Sequence, residues 1–101
     1  MNKRGGPLKQ PSDNWTFLTN HGHVLLCLVQ QPEARMRDVA KRVGITERSV
    51  QHIIADLDRA GYVRTIRNGR RNRYEVSTKR SLRHPIERHR RISALMALIL
   101  H

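Results

Sequence analysis

Residues 36–66 read MRDVAKRVGITERSVQHIIADLDRAGYVRTI, and directly behind them stands the run Arg67-Asn68-Gly69-Arg70-Arg71-Asn72-Arg73. In the first part of that stretch Met36, Val39, Ala40 and Val43 recur at spacings of three and four, which writes a short helix over residues 35–43. Gly44 follows, where a helix ends best on a residue free to take positive φ. Ile45 then plugs the corner, Thr46 offers a capping hydroxyl, and Val50, Ile53, Ile54, Leu57 and Ala60 lay a buried stripe along a second helix up to Gly61. Small Ala40 lets the two helices approach. The pattern is that of a helix-turn-helix, a geometry that a plain αα-hairpin also uses.

The outer side of the second helix keeps Glu47, Arg48, Gln51 and His52. These are side chains suited to reading base edges: Arg48 can pair with guanine, Gln51 with adenine, and Glu47 can accept from cytosine, each good pair discriminating by about 1–3 kcal/mol. His52 is expected to contact a base or a phosphate, and Thr46, Ser49 and Arg37 to position phosphates. For Glu47 the competing explanation is a solvated carboxylate beside the helix N-terminal dipole.

Beyond Gly61, residues 62–67 and 70–76 read as two strands around Asn68-Gly69, the dipeptide that favours a two-residue type I′ turn. That register pairs Arg67 with Arg70, Ile66 with Arg71, Arg64 with Arg73 and Val63 with Tyr74. Arginines then gather at the tip and along one face, while Val63, Tyr74 and Val76 turn to the core. Like charges set opposite one another cost stability, so the cluster calls for a polyanionic partner. Arg67, Asn68, Arg70, Arg71 and Arg73 are the expected wing contacts, made to a phosphate backbone or a minor groove. A solvated hairpin that merely protects its edge is the alternative.

Taken together, residues 19–76 resemble the winged helix-turn-helix domain of bacterial and archaeal transcriptional regulators of the MarR and ArsR types. The residues that carry the likeness are Asp38-Val39-Ala40-Lys41-Arg42-Val43-Gly44-Ile45-Thr46, then Val50, Leu57, Ala60-Gly61-Tyr62-Val63-Arg64 and the basic wing. The resemblance implies a dimeric transcription factor that lays its residue 47–60 helix in the major groove of duplex DNA and its wing over the adjacent minor groove or backbone. The chain departs from MarR-type proteins in being shorter, with one helix-sized segment after the wing.

Composition agrees with a polyanionic partner. A chain of 101 residues supports a single small domain. Its net charge is +12, of which residues 62–101 hold +9, from 11 basic and 2 acidic side chains. Such density attracts phosphate polymers. The lone cysteine, Cys27, excludes an internal disulfide framework and points to a reducing compartment such as the cytoplasm. The longest apolar runs, 24–29 and 95–100, fall far short of the ~18 residues a membrane span needs. Residues 1–13 read as a flexible basic tail and lack the apolar core of a signal peptide.

The rest of the chain divides simply. Asn20 is the expected N-cap of a first helix over 21–31, with Val24, Leu25, Leu28 and Val29 facing the core and Pro32 ending it. The preceding Trp15-Thr16-Phe17-Leu18 fits either a short helix or an extended arm. After the wing, residues 77–84 form a basic connector, and Pro85 is placed to open a last helix of about 15 residues, roughly 22 Å. Its Ile86, Ile92, Leu95, Met96 and Ile99, with Trp15 and Phe17, form the expected dimerisation surface; packing on its own domain and binding at a membrane surface through Arg88, Arg90 and Arg91 are the alternatives. The expected fold is mainly α with a small β-hairpin wing: residues 14–78 form the winged helix-turn-helix and 79–101 the connector and dimerisation helix.

Enzymatic chemistry has no constellation here. Asp56 and Asp58 point to different sides of a helix, and neither a nucleophile–base pair nor a glycine-rich phosphate loop is present. His23 and Cys27 stand four apart with His21 nearby, a spacing compatible with a soft metal; Cys27 lies inside an apolar run, so a buried structural thiol is preferred and neither metal nor cofactor is expected. A winged helix that binds RNA or a protein is the principal competing function, because the fold alone does not dictate the partner.

Overall fold

The computed structural model describes residues 15–100, so the basic tail expected over 1–13 lies outside the described residues. Helix α1 (Asn20–Gln30) opens after Thr19. Thr19, in extended conformation and with no side-chain cap bond, occupies the capping position one residue before the expected Asn20. Asn20 instead sits in the first turn, its Oδ1 3.2 Å from His23 Nδ1. Val24 through Leu28 are all buried, because α1 runs through the centre of the fold and packs against α2, α3 and β2. The segment before it, 15–19, forms no regular element.

Helix α2 (Met36–Val43) buries Val39 and Ala40, and Gly44 ends it at φ 86°, ψ 33°. The Gly44 and Ile45 N–H groups both donate to Ala40 O, at 2.8 and 3.0 Å, closing the helix end. No atom would obstruct a Cβ at Gly44. The requirement there is the left-handed φ, not space. Helix α3 (Glu47–Arg59) is capped as expected: Thr46 Oγ1 accepts the Ser49 N–H at 3.0 Å. It buries Val50, Ile53, Ile54 and Leu57, leaving Ala60 half-buried just past its end.

The wing is an antiparallel pair, β1 (Val63–Asn68) and β2 (Arg71–Val76). Its register differs from the expected one by two residues: Val63 faces Val76, Arg64 faces Glu75, Ile66 faces Arg73, and Asn68 faces Arg71. The two turn residues are therefore Gly69 and Arg70. A type I′ turn over Asn68-Gly69 needs positive φ at both residues; here only Gly69 has it, at 65°, which suits a II′ turn with glycine first. The shift also replaces the repulsive Arg64–Arg73 and Arg67–Arg70 pairs by Arg64–Glu75 and Arg67–Asn72. A two-residue shift preserves faces, so Val63 and Tyr74 remain buried as expected and Val76 is half-buried. Backbone bonds root the wing in the body, from Tyr74 N–H to Pro32 O and from Ser77 N–H to Tyr62 O, both 2.8 Å.

The last helix is shorter than expected. It begins at Ile92 rather than at Pro85, giving α4 (Ile92–Leu100), and residues 82–90 form turns. Extending the helix back to Pro85 would stack Arg88 and Arg91, three apart, on one side, and like charges at that spacing destabilise a helix. Ile92 and Met96 are buried in the same core as α1, and Leu95 is half-buried. The expectation that these three serve a partner subunit is thus corrected for Ile92 and Met96, which complete their own domain. Ile86, Leu98 and Ile99 stay exposed, at 77, 78 and 47%. Among the described residues no helix is long and apolar enough to cross a membrane.

Candidate nucleic-acid interface

Burial of Val50, Ile53, Ile54 and Leu57 rotates α3 so that Glu47, Arg48, Ser49, Gln51 and His52 all stand in solvent. The side chains expected to read bases are therefore exposed together on α3. Thr46 and Ser49 are partly committed within it. Thr46 Oγ1 takes the Ser49 amide and donates to Ser49 Oγ at 3.0 Å, so the threonine oxygen serves as cap while Ser49 keeps its own hydroxyl hydrogen for an outside acceptor. Arg37 is exposed on the first turn of α2. Its neighbour Arg42 braces α2 to α1 by donating to Gln30 Oε1 at 3.0 Å.

Behind the reading face is a residue that sequence reasoning missed. Asp56 gathers three partners: His21 Nε2 at 2.9 Å, His52 Nε2 at 3.7 Å, and the Arg59 guanidinium on its other oxygen. The hydrogen bond from His21 is the main reason its carboxyl is held below the usual carboxylate range; His52 and Arg59 act in the same direction and partial burial opposes them. The i,i+4 and i,i+3 spacings to His52 and Arg59 are legible in sequence. His21, on another helix, is not.

The wing arginines divide into two groups. Arg70 is exposed at the turn, beside exposed Asn68 and Arg67, whose Nε donates to Gly69 O at 3.0 Å. These form the tip. Arg71 instead donates to Glu33 O at 2.7 Å, and Arg73 lies 3.5 Å from Glu33 Oε2, so both reach back to the loop between α1 and α2. Arg64 pairs with Glu75 at 2.9 Å. The five residues expected as wing contacts thus stand differently in this structure: Arg67, Asn68 and Arg70 lie at the tip, while Arg71 and Arg73 reach to Glu33. Glu33 carries no periodic or turn signal that would have singled it out.

Away from this face, Trp15 and Phe17 meet edge to face, ring centroids 5.1 Å apart, and remain 67 and 93% exposed. A cleft of about 400 Å³ lies beside them, between the start of α1, the end of α3 and residues 82–95, with Leu25, Leu57 and Leu95 on its apolar side and His21, Asp56 and Arg83 on its polar side. Cys27 is buried, and among the described residues no group of three or more histidine, cysteine or acidic side chains is placed to hold a metal ion.

The fold is that of solved transcriptional regulators. PcaV of Streptomyces coelicolor, solved with its natural ligand, superposes with a TM-score of 0.52 at 27% identity, over 59% of this chain and 45% of PcaV. ZitR of Lactococcus lactis, solved in complex with DNA, gives the same TM-score at 15% identity, over 75% of this chain and 53% of ZitR, which is a likeness of fold. The chain thus spans about half the length of these regulators. No curated protein matches it. The expected winged helix-turn-helix stands, and its helix-turn-helix and wing, within residues 20–79, match the pattern of one family over more than half the chain: the protein belongs to the family of the sugar-specific transcriptional regulator TrmB.

Proposed function

We propose that this protein is a non-enzymatic, cytoplasmic transcriptional regulator that binds duplex DNA sequence-specifically, with α3 in the major groove and the wing tip on the adjacent minor groove or backbone. The observation that carries this reading is the split of α3. Its Val50, Ile53, Ile54 and Leu57 are buried, while Arg48, Gln51 and His52 form an exposed set of base-reading side chains, followed in the chain by a hairpin with arginine at its tip. Arg48, Gln51 and His52 read bases, with Glu47 at the margin; Ser49, Thr46 and Arg37 position phosphates; Arg67, Asn68 and Arg70 make the wing contacts. The matched residues, 20–79, are those of the helix-turn-helix and wing, so the proposal assigns no sugar site.

The protein acts as a homodimer, with half-sites about 34–36 Å apart. The partner-facing surface is drawn from Trp15 and Phe17, exposed and in edge-to-face contact, and from exposed Leu98 and Ile99 on α4, since clustered apolar side chains left in water mark interaction sites. Selecting ligands from random duplexes at fixed physiological salt tests both parts, with an enriched palindrome as the expected result. A chain that binds duplex RNA as tightly as duplex DNA contradicts the reading, because the A-form major groove is too deep and narrow for α3.

A further inference from the structure

Residues 79–91 carry Lys79, Arg80, Arg83, Arg88, Arg90 and Arg91 against one carboxylate, Glu87. All seven are exposed. The segment is a closed loop rather than part of a helix: Leu82 N–H donates to Arg90 O and Ile92 N–H to Arg80 O, each at 2.9 Å, and Ser81 pairs with Arg91 in an antiparallel bridge. Inside it, Glu87 N–H to His84 O and Arg90 N–H to Glu87 O, both 2.8 Å, set successive turns. Arg80 is directed inward, donating to Gly61 O at 2.8 Å with its guanidinium 5.9 Å over the Tyr62 ring, and Arg83 lines the cleft beside α1 and α3. Among the described residues no ion pair engages Lys79, Arg83, Arg88, Arg90 or Arg91.

The place of this loop matters as much as its charge. Arg80 and Ser81 are fastened to Gly61 and Tyr62, since Tyr62 Oη also donates to Ser81 O at 2.5 Å, and both lie just beyond the last turn of α3 and at the root of the wing. From there the wing tip is six residues away along extended chain, about 20 Å. Arg48 is thirteen residues away along α3, again about 20 Å. The loop thus packs beside the C-terminal half of α3, where Arg83 and Glu87 line the cleft with His21 and Asp56, while its anchor at Arg80 and Ser81 lies about 20 Å from the wing tip and from Arg48.

We propose that loop 79–91 is a second phosphate-binding surface, which takes the backbone of duplex DNA outside the stretch that α3 and the wing tip read. Arginine dominates the set, and its planar guanidinium fits phosphate in a bidentate manner. The closed backbone holds these side chains on a fixed frame. Ile86 is the one exposed apolar residue among them, too little for the apolar anchors on which a protein partner relies. The proposal rests on the DNA-binding reading above, and the phosphates belong to a bent flank of the same duplex.

The test compares wild type with the triple variant R83Q/R88Q/R90Q, whose loop backbone bonds involve none of the altered side chains, on duplexes of about 20 and about 40 base pairs across a salt series. On the longer duplex the variant is expected to lower the slope of log affinity against log salt by about two to three units per subunit bound, with an unchanged slope on the shorter one. Sedimentation with excess short duplex checks the source: one duplex per dimer is expected, and two would overturn the flank assignment. Equal losses on both lengths overturn the proposal by placing the loop inside the reading site. An unchanged slope on both also overturns it, and if the variant alone then loses binding to phosphatidylserine vesicles the loop is a lipid surface. If wild type binds neither duplex, the DNA-binding reading falls as well; if it binds the short duplex normally, only the loop assignment is at stake.

Discussion

His21 Nε2 stands 2.9 Å from Asp56 Oδ2, so a histidine in the first turn of α1 is tied to a carboxylate on α3, 35 residues away in sequence. The same carboxylate faces His52 and Arg59. Among the described residues it is the one ion-pairing site that links α3 to another helix. Its depressed pKa gives this link a pH signature. A carboxyl whose folded pKa is lowered stabilises the fold above its unfolded value, about 4, and loses that contribution as pH falls through the folded value.

The variant Asp56→Asn should therefore melt at lower temperature than wild type at pH 7, and the gap should close as the pH drops below about 4. Thermal melts monitored by circular dichroism over pH 2.5–7.5 provide the check. A gap of equal size at every pH would mean that Asp56 acts by shape and not by charge.

Arg48 and Arg70 should separate specificity from affinity. Arg48→Ala should relax preference at one base position at a cost of about 1–3 kcal/mol on the best site, while Arg70→Ala should weaken binding to all sequences and lower the salt slope by about one unit. Binding isotherms on a set of single-base operator variants read both. Uniform loss in both proteins would refute this division of labour.

Arg73 is tethered to Glu33 where Arg70 is not. Arg73→Ala should accordingly lower the salt slope by less than Arg70→Ala, and should change stability by less than about 1 kcal/mol, the usual range of an exposed ion pair. Equal slopes for the two variants would show that the tether is released on DNA.

The turn between α2 and α3 should respond to backbone chemistry rather than to volume. Gly44→Ala places a side chain in open space but at φ 86°, which costs about 1–2 kcal/mol, and Gly44→Asn should cost less. Thr46→Ala removes the cap on Ser49 N–H and should cost about 0.5–2 kcal/mol. Urea denaturation measures all three, and an alanine at position 44 that leaves stability unchanged would contradict the φ argument.

On α4 the two sides should behave differently. Met96→Ala opens the core and should cost about 2–5 kcal/mol. Leu98→Ser, on the exposed side, should leave the stability of a single chain within about 0.5 kcal/mol while lowering the solution mass from dimer to monomer. Light scattering at micromolar concentration reads the second effect; a wild type that is monomeric there removes the dimer from the proposal.

Much of this was legible in residue order because it is local. Spacings of three and four in Met36–Val43 and Glu47–Arg59, a positive-φ residue at Gly44 and a hydroxyl at Thr46 are conditions that neighbouring residues satisfy among themselves, and they determined the helix-turn-helix, its buried stripe and its exposed face. The existence of the hairpin followed in the same way. Its register did not, since residues 68–70 allow two turns and the choice between them depends on which charges meet across six residues of strand. Tertiary structure alone decided that Arg64 meets Glu75, that Glu33 holds Arg71 and Arg73, that His21 reaches Asp56, and that Ile92 and Met96 belong to the core. The physical reason is common to the last three: each contact forms between segments that only closure of the whole chain brings together, and no periodicity within either segment records its partner; the Arg64–Glu75 pair follows instead from which of the two turns sets the register.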